Sequence, residues 1–178
     1  MLDVHVLTLD SSRKDWLREC LESIQVAIER CPFAVNLHLV QGIEGHIGIG
    51  RDKGYALGDH PFVTYVDDDD YVLPHAFSQM AEALKCAPMA MSTPERIERN
   101  GYPLDGRQRH HLIAYRRDQI IDHKPWVCCG DVRQMLAISE HAWVDLETPA
   151  YVHRVYESKA RLMRRAHQDE LAKATSHV

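Results

Sequence analysis

The chain has 178 residues, of which 45% are hydrophobic and 26% charged, and its 21 Lys and Arg against 26 Asp and Glu leave a formal charge of −5. This balance fits one globular domain with a sizeable core and argues against a general nucleic-acid coat, although a local basic face stays open. No run reaches the ~20 apolar residues that a membrane helix needs, and MLDVHVLTLD has no basic segment ahead of a long apolar one, so a cytoplasmic setting is expected.

The stretch VHVLTL, residues 4–9, is short, apolar and β-rich, as a buried strand should be. In DSSRKDWLRECLESIQVAIERC, Asp10, Ser11 and Ser12 offer helix caps, and Trp16, Leu17, Leu21, Ile24 and Ile28 recur at helical spacing until Pro32. AVNLHLVQG reads as a second strand, and GIGRDKGYALGD as a helical segment bracketed by glycines. FVTYV is the third strand, and LPHAFSQMAEALKCA is a helix with Pro74 near its first turn. Alternating strands and helices predict an α/β fold, a mostly parallel sheet flanked by helices in one compact domain.

The second half is less regular. MAMSTPERIERNGYPLDG reads as a strand running into a turn-rich loop, and HHLIAYRRDQII as a strand and a short helix. GDVRQMLAISEH is helical in pattern, AWVDL and PAYVHRVY are strands, and residues 157–173 are charged and helical in composition. The five cysteines show no CxxC pair and suggest reduced, mostly buried thiols. The twelve histidines form no HExxH or similar pair and read as core or surface residues, not as a zinc site.

The stretch that calls for chemistry is Asp67 to Asp70, four carboxylates directly behind FVTYV. In open parallel sheets, ligands bind beyond the carboxyl ends of the strands. Alternate residues of an extended chain face the same way, so Asp67 and Asp69 can converge on one ion, and oxygen donors suit Mg²⁺ or Mn²⁺. The alternative is a solvated acidic turn.

The wider pattern is strand, four aspartates, an aromatic, two apolar residues, Pro74 and helix, with Thr8, Asp10 and Arg13 after the first strand and Gly48, Gly50, Arg51, Asp52 and Gly54 between. It resembles the GT-A fold glycosyltransferases, particularly family 2. The likeness runs over residues 3–157 and implies a nucleotide-sugar half at 1–75, an acceptor half at 76–157 and a separate charged helix at 158–178. It implies Asp69, with Asp67, as ligands of Mn²⁺ or Mg²⁺. It also implies Thr8, Asp10, Arg13, Arg51, Asp67 and Asp68 at the donor, and Asp131 in GDVRQML as the base, with Glu140 and Asp145 in reserve. Asp70 would orient the loop, and Arg51 would meet either phosphate or a neighbouring carboxylate.

The chain also departs from the family. Gln41 stands where an acidic residue often holds the base, Gly130 replaces the acidic residue before Asp131, and Tyr156 replaces a histidine near the diphosphate, with His153 three positions earlier. The implied partner is a nucleoside-diphosphate sugar, a UDP-sugar by preference. The implied reaction is transfer to an acceptor hydroxyl with inversion, the acceptor being a glycan, a lipid-linked sugar or a hydroxymethylated DNA base. A nucleotidyltransferase and a non-catalytic sugar-nucleotide or metal-binding module are the competing classes. TLDSSRK lacks the glycine-rich phosphate loop of the first, and Asp131 weighs against the second.

Overall fold

The structure is a computed structural model that describes residues 1–86, 90–92, 95–99, 102–104, 111–124, 134, 137, 138 and 143–156. Strand β1 (Leu2–Thr8) lies at the heart of the larger sheet, between β2 (Val35–Gln41) and β3 (Phe62–Asp67), both parallel to it. β8 (Ile113–Arg116) joins β3 antiparallel, and β5 (Ala90–Ser92) and β9 (Trp143–Asp145) continue the sheet in the order β2-β1-β3-β8-β5-β9. Only β8 runs against the others. A smaller sheet, β4-β10-β6-β7, holds β4 (Tyr71–Val72), β10 (Tyr151–Val155), β6 (Glu95–Arg99) and β7 (Tyr102–Leu104). The expected turn-rich loop is therefore two short strands that pair antiparallel, with Arg99 opposite Tyr102 across the sequence Asn100-Gly101. That dipeptide is a strong hairpin signal.

The two faces of β1 are read off its alternation. Leu2, Val4 and Val6 enter the main core with Ile24 and Ala27 of α1 (Lys14–Glu29) and Phe77 and Met80 of α3 (Ala76–Leu84). Asp3, His5 and Leu7 face the opposite side, toward α2 (Ile47–Tyr55) and the turn beyond it. A Cβ on Gly50 would collide with Leu7, one on Gly54 with His5, and one on Gly58 with Asp3. Four helical residues rise ~6 Å and two strand residues ~6.6 Å, so glycine at every fourth position lets the segment lie directly on every second residue of β1.

One local expectation differs from what is observed. α1 begins at Lys14 with Arg13 at its cap, and no side chain caps it. Ser12 is used elsewhere, its hydroxyl accepting from Leu9 N at 2.7 Å and donating to Asp68. Arg117, directly after β8, reaches the amino-terminal end of β1. Its guanidinium bonds Asp3 at 2.6 Å and its Nε donates to the His60 carbonyl at 2.9 Å. Arg116 is exposed and pairs with Asp118. Among the described residues, no helix is long and apolar enough to cross a membrane.

Candidate functional site

β1 and β3 end side by side, Leu7 paired with Asp67, so residues 8–13 and 67–70 share one mouth of the sheet. Thr8 is nearly buried, and its hydroxyl donates to Gln41 Oε1 at 3.2 Å. Gln41 Nε2 in turn donates to exposed Asp10 Oδ1 at 3.2 Å. The residue that stands where an acid was expected thus ties the two β1-end candidates together.

The aspartates divide by role. Asp67 is partly exposed and forms an ion pair with Arg51, whose guanidinium lies 3.6 Å over the Tyr65 ring. This is the carboxylate partner of the two left open for Arg51. Burial works most strongly against the Arg51 charge, but Asp67, Tyr65 and Tyr55 together outweigh it and the pKa rises, so the cation is permanent. Asp68 accepts from the Ser12 hydroxyl, which fastens the turn to the β1–α1 connection. Asp69 is half-buried, and its carbonyl accepts from Arg154 Nη1 at 3.4 Å.

Asp70 turns inward and is fully buried. Its Oδ2 accepts from the Tyr151 hydroxyl at 2.8 Å and from His153 Nδ1 at 2.9 Å, and its Oδ1 accepts from Arg154 N at 2.7 Å. Burial, then the Asp70 charge, push the Tyr151 hydroxyl well above its ordinary pKa, so it stays a donor. Asp70 is therefore the anchor by which β10 holds the turn carrying the other three.

Beside it sits His111, stacked at 4.2 Å on His153 and at 5.6 Å on Tyr151. Its Nε2 is 4.0 Å from Asp67 Oδ2. Sequence reading assigned His111 to the ordinary core or surface histidines. The antiparallel register, Phe62 with Arg116 and Val63 with Tyr115, continued to the strand ends sets Asp67 across from His111. Only knowledge that β8 runs antiparallel beside β3 would have revealed this.

Arg13 and Tyr156 are grouped elsewhere. Arg13 pairs with Asp15 and covers the Trp16 ring at 3.8 Å, and Tyr156 meets the Trp16 edge at 4.9 Å. With Glu19, Glu98 and Arg154 they enclose a cavity of about 380 Å³. Arg154 is bonded there to Glu19 at 2.7 Å, and Tyr71 donates to Glu98 at 3.0 Å. Burial and then the Glu98 charge push the Tyr71 hydroxyl up to about 12. Asp131, Glu140 and the charged 158–178 segment lie outside the described residues, as does the side chain of Asp145.

The turn offers carboxylate oxygens from Asp67, Asp68 and Asp69 at a partly open mouth, a hard donor set that fits Mg²⁺ or Mn²⁺. Among the described residues, the three-donor group that converges closely enough to hold an ion is not Asp67 to Asp69 but the buried set Asp70, His111 and His153.

No family model and no curated protein matches this chain. Solved structures do. Residues 1–349 of S. aureus TarS in complex with UDP superpose with a TM-score of 0.66 at 17% identity, over 86% of this chain and 60% of that one. The same region in complex with UDP-GlcNAc gives 0.62 at 15%, over 88% and 59%. A longer S. aureus TarS structure gives 0.61 at 14%, over 86% and 36%. The chain thus spans about 60% of the TarS region's length and shares its fold, the mixed α/β architecture of glycosyltransferase structures.

Proposed function

We propose that this protein is a metal-dependent glycosyltransferase of the family 2 type, moving a sugar from a nucleoside diphosphate, UDP by preference, to an acceptor hydroxyl with inversion. One observation carries the reading. The acidic turn and the Thr8–Gln41–Asp10 chain meet at adjoining strand ends, in a fold shared with structures that hold UDP and UDP-GlcNAc.

Asp69, with Asp67, would hold Mn²⁺ or Mg²⁺, which when bound offsets the charge that builds on the leaving diphosphate. Thr8, Asp10 and Asp68 receive the nucleoside, with Gln41 available to hydrogen-bond the base. Arg51 and Ser12 keep Asp67 and Asp68 from turning, so the donor meets a preorganised loop. Arg13 and Tyr156, drawn to Trp16, and His153, buried against Asp70, take no direct part in this reading. Asp131 takes the acceptor proton as the hydroxyl oxygen bonds the anomeric carbon, and the broken carbon–oxygen bond leaves its electron pair on the diphosphate.

The test is nucleoside-diphosphate release from a panel of donors with Mn²⁺, supplied with glycan, lipid-linked or hydroxymethylated-DNA acceptors. Wild type should release UDP, and Asp69→Asn and Asp131→Asn should each lose at least ~100-fold. No turnover of any donor, or full activity in both variants, overturns the proposal.

A further inference from the structure

Three elements place a ligand atom each at one buried point under the aspartate turn: the Asp70 carboxylate, His111 ahead of β8, and His153 in β10. These atoms all lie within 4.8 Å of one another. The three residues are 0%, 6% and 4% exposed. Asp70 Oδ2 is already 2.9 Å from His153 Nδ1, and the two imidazoles stack within 17° of parallel. Tyr151 supports the His111 ring and donates to the same Asp70 oxygen.

We propose that Asp70, His111 and His153 form a binding site for one divalent transition-metal ion of the Zn²⁺ or Co²⁺ class, separate from the oxygen-donor site of Asp67 and Asp69. The donor set decides the class. Two imidazole nitrogens and one carboxylate suit Zn²⁺ and Co²⁺, whereas Mg²⁺ takes oxygen and sheds water reluctantly. Arg154 reaches Asp70 through its backbone N–H, while its guanidinium goes to Glu19 and Glu98.

The triad lies close beneath the mouth. His111 Nε2 is 4.0 Å from Asp67 Oδ2, and the Asp67 side chain is 26% exposed. On binding, the proton that His153 Nδ1 donates to Asp70 moves to Nε2, and the ion takes its place between the two residues. The result is a cross-link of the aspartate turn, β8 and β10. This site does not depend on the transferase reading.

The experiment titrates EDTA-treated protein with Co²⁺, and separately with Zn²⁺, without nucleotide, in wild type, His111→Gln, His153→Gln and Asp69→Asn. Wild type should bind one ion per chain with the visible absorption of nitrogen-ligated Co²⁺. Each histidine variant should weaken binding by more than ~100-fold, since even outer-shell partners of a metal are worth about 10–100-fold. Asp69→Asn should bind like wild type. Unchanged affinity in both histidine variants, loss in Asp69→Asn alone, or no wild-type binding overturns the proposal. Should the variants fold poorly, X-ray absorption of Zn²⁺-loaded wild type decides. Imidazole scattering supports the site, and a shell of oxygen alone overturns it.

Discussion

Asp70→Asn replaces the buried anchor by a group of nearly the same shape, and the hydrogen-bond inventory sets the expected cost. Tyr151 and His153 both donate to Oδ2 and Arg154 N donates to Oδ1. An amide keeps one acceptor oxygen. With that oxygen facing Tyr151 and His153, the NH₂ meets the Arg154 N–H, and a buried donor is left unsatisfied at ~1–3 kcal/mol. The two retained bonds fall from charge-assisted to neutral strength, ~1 kcal/mol each. Relief from burying a carboxylate offsets part of this, and the net expectation is ~3 kcal/mol. For a chain of this size that lowers Tm by ~6–12 °C. The assay is urea and thermal unfolding in EDTA, with Tyr151→Phe and the double variant completing a cycle. Tyr151→Phe should cost ~1 kcal/mol, and the two changes should not add, because they share one oxygen. A destabilisation by Asp70→Asn below ~1 kcal/mol, or strict additivity, refutes the anchor.

Burial, then the nearby Arg51 charge, hold the His5 pKa well below its ordinary value of 6.5, so the folded ring stays neutral while the unfolded one titrates normally. Stability should fall as pH drops below ~6.5, by up to ~1.4 kcal/mol per unit, and His5→Asn should flatten that slope in denaturant midpoints taken from pH 7 to 5. Gly54→Ala drives a methyl into the His5 ring and should cost ~1–3 kcal/mol. Gly45→Ala, at φ 74° with nothing near its Cβ position, should cost only ~1 kcal/mol of left-handed backbone strain, both read by urea unfolding. Cys20 is buried, with its thiol pKa pushed up by desolvation and then by the Asp68 charge, while Cys86 is exposed. Peptide mapping after brief alkylation should find Cys86 modified and Cys20 protected until the protein unfolds.

The parallel half of the sheet was legible because β1 and β3 are short apolar runs that each lead into an amphipathic helix, a purely local pattern. Even so, the spacing of Gly50, Gly54 and Gly58 holds more than the helix bracket it first suggested, since it matches the two-residue repeat of β1. β6 and β7 escaped because charged side chains dominate Glu95–Arg99, although Asn100-Gly101 marked the hairpin. In the site, Asp67–Asp70 announced itself by charge density, and Arg51 by its place ahead of that turn. Arg13 covers the Trp16 ring three residues on, a contact that the charge pattern alone does not signal. His111 could not be found from sequence. Its neighbour in the fold is 42 residues away at His153, and what joins them is the antiparallel turn of β8 beside β3.

On the proposed function, the acidic turn binds a sugar nucleotide through a divalent cation. Calorimetric titration of UDP-GlcNAc and related donors with Mn²⁺ present and absent, in wild type and Asp69→Asn, tests it most directly. Binding to wild type should require Mn²⁺ and be lost in Asp69→Asn. Donor binding of equal strength with or without the ion and the Asp69 carboxylate, or none under any condition, would contradict it.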